Sequence, residues 1–298
     1  MHQPLAKRVV AEALGTFFLL AAVVGSGIMA ERLPNGNTAL ALLANTAATG
    51  AALVALIIAF AAISGAHFNP VVTLSFALRD ELLWSEVPLY VLAQLAGGVA
   101  GVMAANVMFG LPVVFMSQHS RTGMAQLFSE FIATLGLLSV ILAASRSTIA
   151  VVAIAVGAYI TSAYWFTAST SFANPAVTVA RSLSDTFAGI RPVDAPGFIL
   201  VQLAGGLVAT VLFRWLMPAR DNESHGKQTL QVFVFVHGQF CSQYHWRVPV
   251  EAAGWNALRS IQCRIISNWK SESSSRSGFK GRVQHRCLGG SQQVLGRV

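Results

Sequence analysis

Apolar positions fall into six long runs, at about 9–30, 40–63, 87–109, 125–144, 149–167 and 197–217. Each is long enough to cross roughly 30 Å of hydrocarbon as a helix of about 20 residues. Two shorter apolar runs, 70–79 and 175–183, stand directly behind an Asn-Pro pair. Asparagine is a strong helix N-cap and proline suits the first helical turn, so each pair predicts a helix that starts inside a hydrophobic segment. Ten residues of helix rise about 15 Å, half a bilayer core, and the two runs read as half-helices. Lipid cannot satisfy the backbone of the loops leading into them, so those loops must lie inside protein or beside water. The pattern predicts an all-α membrane protein of six transmembrane helices and two re-entrant half-helices.

The runs repeat. Ala11-Glu12-Ala13-Leu14-Gly15-Thr16-Phe17 is echoed by Ser129-Glu130-Phe131-Ile132-Ala133-Thr134-Leu135. Ser64 to Thr73 is echoed by Ser169 to Thr178, and Ala93-Gln94-Leu95-Ala96-Gly97-Gly98 by Val201-Gln202-Leu203-Ala204-Gly205-Gly206. A unit of three spans and one Asn-Pro segment therefore occurs twice, at about 5–110 and 124–217. Three spans per unit invert the second copy in the membrane, an arrangement that puts the functional site near the midplane. The small residues at Gly97, Gly98, Gly101, Gly205 and Gly206 fit close helix crossings.

Composition supports this reading and redistributes the charge. The chain is 54% hydrophobic and 11% charged, against about 25% charged in soluble domains. Residues 1–217 hold nine Lys and Arg against eight Asp and Glu, whereas 218–298 hold eleven against four. The overall +8 thus belongs to the tail. Cys241, Cys263 and Cys287 also lie there, in no disulfide or metal-ligand pattern. The chain divides into a channel-like region, 1–217, and a basic, disordered cytoplasmic tail, 218–298. In the tail Leu230 to Phe240 alternates like a strand and Ser271 to Gly281 reads as disordered. Lys7, Arg8, Arg79, Arg146, Arg214 and Arg220 on one side outnumber Arg32, Arg121, Arg181 and Arg191 on the other. That bias predicts cytoplasmic termini. The first apolar run is too long for a cleavable leader.

Candidate chemistry centres on Asn69-Pro70-Val71 and Asn174-Pro175-Ala176. Each capping oxygen can serve the first N–H groups of its half-helix, leaving the amide NH₂ as a donor pair. Two half-helices meeting head to head would aim both amides, and two positive dipole ends of about half a charge each, at one point. Such a point suits neutral hydroxylated solutes and repels cations. Glu12 and Glu130 are ionisable groups inside spans, functional suspects by default; their symmetry suits a structural role holding the re-entrant loops. His67 either braces the first loop or faces the permeant, and Asp80 and Glu81 read as a solvated pair closing the first half-helix. No nucleophile–base set, phosphate loop or metal spacing argues for an enzyme, and no cofactor or nucleic-acid partner is expected. A secondary transporter also uses inverted repeats and broken helices, but would place ionisable groups at the breaks.

Over residues 5–217 the chain resembles the aquaporin (major intrinsic protein) family. The resemblance rests on the Glu-x-x-Gly-Thr-Phe opening at Glu12, on Ser-Gly-x-His-Phe-Asn-Pro-x-Val-Thr at Ser64, and on Asn174-Pro175-Ala176. It implies a homotetramer with one pore per subunit and passive transport of water or small neutral solutes. Val71 replaces the family's usual Ala.

The resemblance also implies a narrow filter twenty residues before the first Asn and twelve before, three before and three after the second. These positions hold Thr49, Ser162, Ser171 and Val177. The family's bulky aromatic or His is missing there, and so is the Arg that nearly always follows Asn-Pro-Ala. A wide filter of three hydroxyls and an apolar Val is expected, with leakier cation exclusion. Arg181, one turn after Val177, either leans back toward the pore or packs in the outer vestibule; the second is simpler. A filter this open resembles the AqpS-type aquaglyceroporin-like channels encoded with bacterial arsenic-resistance genes. That implies passage of glycerol-like polyols, undissociated arsenite and related metalloid hydroxides, in a bacterial inner membrane.

Overall fold

The computed structural model describes residues 3–33 and 37–217 together with four short strands in the tail. Six long helices appear: α1 (Leu5–Arg32), α2 (Thr38–Ser64), α4 (Val87–Met108), α5 (Met124–Ala144), α6 (Ile149–Phe166) and α8 (Ala195–Leu216). Their mean hydropathy over 18 residues runs from 1.6 to 2.3. Between them lie two short helices, α3 (Pro70–Leu78) and α7 (Pro175–Arg181). Every long helix begins and ends within a few residues of the apolar run that predicts it. This is the expected all-helical membrane architecture of six spans and two half-helices.

The duplication organises the packing. α1 lies along α4 as α5 lies along α8, and α2 meets α6 between the two halves. The crossings are close because matching glycines carry no side chain. A methyl at Gly97 would stand 2.1 Å from the Ala13 carbonyl oxygen, and one at Gly205 would stand 2.5 Å from that of Phe131. Polar side chains are turned inward: Glu12, Glu130, Gln94 and Gln202 are all fully buried. Large apolar ones such as Leu14, Phe18, Leu43 and Ile58 stay exposed on the outside, as lipid rather than water would solvate them.

The chain separates into two compact units, Met1–Ala219 and Arg220–Val298. In the second, Thr229–Gln231 pairs antiparallel with His245–Arg247, and Phe235–Val236 with Gln239–Phe240. Of the run Leu230 to Phe240, Leu230, Gln231, Phe235, Val236, Gln239 and Phe240 are thus strand residues, and the rest of it lies outside the described residues. Ser271 to Gly281 lies outside the described residues.

Candidate pore site

Each half-helix is started by its asparagine as the sequence predicts. Asn69 Oδ1 accepts from Val71 N at 2.9 Å, and Asn174 Oδ1 accepts from Ala176 N at 2.9 Å and Val177 N at 3.3 Å. Pro70 and Pro175 occupy the first helical positions. The amide groups then cross the pseudo-symmetry axis. Asn69 Nδ2 donates to Ala173 O, and Asn174 Nδ2 donates to Phe68 O, both at 2.8 Å. This corrects the expectation of a wholly free NH₂ pair: each amide commits a hydrogen to the opposite loop.

The peptides that receive these bonds are themselves clamped. Glu12 accepts from His67 N (3.0 Å), Phe68 N (2.7 Å), Ser64 Oγ (2.6 Å) and Gln94 Nε2 (2.8 Å). Glu130 accepts from Phe172 N and Ala173 N (both 2.9 Å) and from Gln202 Nε2 (2.7 Å). Gln94 reaches on to Thr73 Oγ1 and Gln202 to Thr178 Oγ1, each at 3.0 Å. A buried carboxylate is thus surrounded by donors, which offsets its desolvation. The two glutamates hold loop backbone, and their glutamine partners are residues that sequence reasoning noted only as part of the repeat.

The clamps sustain an unusual backbone. Ala66, Phe68, Ser171 and Ala173 all have φ near +50°, the left-handed region that costs non-glycine residues about 1 kcal/mol or more each. They stand at matching places, three and one residues before each asparagine. The turn aims Phe68 and Ala173 so that each N–H meets a glutamate and each carbonyl meets the opposite asparagine.

A cavity of about 280 Å³ runs past the pair, lined by Asn69, Asn174, His67 and Phe172 among others. Its walls are mostly apolar, with Leu53, Ile57, Val152, Val156 and Ile160 along its length. Three of the four filter positions, Thr49, Ser171 and Val177, line it. Ser162 does not: it is exposed and its hydroxyl donates to Tyr159 O. Its place is taken by Tyr164, buried, lining the cavity, with its hydroxyl 3.5 Å from Thr49 Oγ1. An aromatic residue therefore does line this end, against the expectation from counting back twelve residues. Val152, Val156, Ile160 and Tyr164 recur at helical spacing and mark one face of α6, but their polarity does not say that this face turns inward.

Arg181 also differs from the simpler expectation. It is 2% exposed and lines the cavity. Its Nε donates to Ala188 O, and its guanidinium carbon lies 3.5 Å from the centre of the Phe172 ring. Val71 and Ala176 are buried at the starts of α3 and α7, and Val71 presses against Gly206, where an added methyl would meet its Cγ1 at 2.0 Å. His67 is held by Thr73 Oγ1 at 3.2 Å and packs at a tilt against the rings of Phe76 and Tyr90, so it both braces its loop and lines the cavity. Glu81 accepts from Arg79 Nε at 2.8 Å and lines the cavity at its α3 end.

The loop over the α7 end is held electrostatically. Arg121 donates to Gly189 O (2.7 Å), Ser169 O (2.9 Å) and Phe187 O (3.4 Å). Burial, aided by the nearby Arg181 charge, lowers its pKa to about 9, so it remains cationic at neutral pH. Burial and the same two arginines hold His119 below its ordinary value. For Asp194 burial alone would raise the pKa, but hydrogen bonds from Arg191 and from Arg121 N outweigh it and hold the carboxyl below its ordinary range.

Comparison with known proteins agrees with this geometry. The model of the major intrinsic protein family matches residues 1–148 and 142–244. Over 217 residues the chain is 56% identical to aquaglyceroporin AqpS of Rhizobium meliloti (strain 1021), covering 72% of this chain and 93% of that one. Aquaporin NIP2-2 of Zea mays is 30% identical over 227 residues, covering 74% and 76% respectively. The X-ray structure of the aquaglyceroporin from Plasmodium falciparum superposes with a TM-score of 0.55 at 21% identity, over 72% of this chain and 95% of that one. That last likeness speaks for the fold alone.

Proposed function

The chain belongs to the major intrinsic protein family, and on that premise we propose that it passes glycerol-like polyols, undissociated arsenite and related metalloid hydroxides, with some water. It is an integral multi-pass membrane channel for small solutes of the water and glycerol type, not an enzyme. The observation that carries the finer reading is the crossed asparagine pair beside the cavity. Each amide keeps one hydrogen beyond its cross-loop bond, and the two half-helix N-termini bring their positive dipole ends to the same level. A solute bearing several hydroxyls can accept from both amides in turn, while a cation meets two like partial charges.

The hydroxyls of Thr49, Tyr164 and Ser171 continue this polar track against otherwise apolar walls. Among the described residues no cysteine lines the cavity, which favours passage rather than capture of a thiophilic cargo. We assign the protein to a bacterial plasma membrane as a homotetramer serving arsenic detoxification, with the termini and the 218–298 tail cytoplasmic. The similarity to AqpS of Rhizobium meliloti supports the bacterial plasma membrane, and the bias of Lys7, Arg8, Arg79, Arg146 and Arg214 supports cytoplasmic termini.

Proteoliposomes provide the test. Vesicles holding the full chain should take up glycerol and arsenite at least tenfold faster than empty ones, without saturation and without need of a proton or sodium gradient. Uptake no faster than in empty vesicles would refute the reading. Saturable uptake driven by an ion gradient would favour a secondary transporter.

A further inference from the structure

The two halves of the site match beyond the motifs. The residue seven after each asparagine packs on the residue two before it: Phe76 on His67, with ring centres 4.7 Å apart, and Arg181 on Phe172 at 3.5 Å. A third aromatic backs each pair, Tyr90 behind His67 and Phe198 behind Phe172. His67, Phe76, Phe172 and Arg181 all line the cavity. Pseudo-symmetry thus gives each end one wall position at the seventh residue, and at the α7 end a guanidinium occupies it.

Arg121 and Arg181 show what separates a brace from a pore residue. Arg121 spends Nε, Nη1 and Nη2 on loop carbonyls and does not line the cavity. Arg181 gives Nε to Ala188 O and leaves Nη1 buried with no protein partner. Ser171 Oγ, at the same end, is likewise buried without a partner. Such groups are costly unless something satisfies them, and the contents of the cavity are what remain to do so. Helical side chains lean toward the helix N-terminus, so an arginine one turn beyond Val177 reaches back toward the Val177 level. Among the described cavity-lining residues only Glu81, at the opposite end, also carries a formal charge.

We propose that Arg181 is the cation-excluding and solute-orienting residue of this pore, acting with Ser171 from one helical turn beyond Val177. The inference rests on the channel reading above and supplies its selectivity. Its charge opposes protons and metal cations, while Nη1 and the Ser171 hydroxyl offer two adjacent hydrogen-bonding groups to a polyhydroxylated solute. At about 6 Å and an effective dielectric of 20, one unit charge changes cation entry by roughly a hundredfold.

The test uses the full chain in vesicles, with proton leak under an imposed potential divided by water flux. Arg181→Gln should raise this ratio tenfold or more, whereas Arg181→Lys should stay within threefold of wild type. An unchanged ratio in Arg181→Gln, or Lys leaking as much as Gln, would overturn the assignment. Should Arg181→Gln fail to assemble, Val177→Arg decides without disturbing the Ala188 contact. Added beside a working charge it should lower the ratio less than threefold; a tenfold fall would mean the wild-type pore held no effective charge there. Wild-type vesicles no more permeable than empty ones would instead sink the channel reading itself.

Discussion

Replacing Glu130 with Gln isolates the clamp that aims the second half of the pore. The carboxylate accepts three hydrogen bonds, from Phe172 N, Ala173 N and Gln202 Nε2. A carboxamide has one oxygen. Placed at the Oε2 position it keeps Ala173 N and Gln202 Nε2 and leaves Phe172 N facing the new NH₂; placed at Oε1 it keeps Phe172 N and leaves Ala173 N facing it. Either way one loop N–H is left facing another donor. An orphaned buried donor costs about 1–3 kcal/mol, and the lost charge assistance adds to this, while removing a buried charge returns part of it. A net loss of about 2 kcal/mol is expected, lowering the melting temperature by roughly 4–8 °C for a domain of this size.

Transport should suffer more than stability. Phe172 and Ala173 share the turn in which Ala173 holds its left-handed backbone while its carbonyl receives Asn69 Nδ2, so relaxing either peptide loosens the cross-pore bond. Glycerol flux per folded channel should fall at least tenfold. The assay is thermal unfolding in detergent alongside vesicle swelling normalised to reconstituted protein. A Glu130→Gln protein with wild-type flux and a melting temperature within 2 °C would refute the clamp argument. Glu12→Gln, which leaves either the His67 or the Phe68 N–H orphaned in the same way, should behave alike.

Other outcomes follow from neighbouring contacts. Gly206→Ala should destabilise by about 1–3 kcal/mol through overpacking on Val71; adding Val71→Ala should recover most of that, read as a coupling energy in a double-mutant cycle. Tyr164→Ala should raise glycerol flux relative to water severalfold by opening the wall opposite Thr49, as measured by paired swelling assays. The Asp194 carboxyl titrates below its ordinary value of 3.8 when folded, so its stabilising contribution is present above that value and disappears as pH falls through the folded pKa. Acid unfolding between pH 5 and 2 should therefore lose part of its pH dependence in Asp194→Asn. A chain ended after Asp221 should keep wild-type flux; loss of transport would give the tail a role in the channel.

What the sequence determined by itself is whatever short-range chemistry dictates. Apolar run length placed the six spans, and the Asn-Pro pairs fixed where α3 and α7 begin, because capping and the missing proline N–H act within one turn. The repeat paired Glu12 with Glu130 before any contact was visible. Tertiary structure decided which side chains meet the cavity. α6 carries hydroxyls on its exposed side (Ser162) as well as its buried side (Tyr164), so polarity does not mark its inward face, and counting back from Asn174 chose exposed Ser162 over buried Tyr164. Arg181 is a long side chain whose reach spans a full helical turn; only the position of Phe172 and of the Ala188 carbonyl brings its guanidinium to the pore wall. The amides of Asn69 and Asn174 needed the same knowledge, since their partners lie a hundred residues away on the opposite loop.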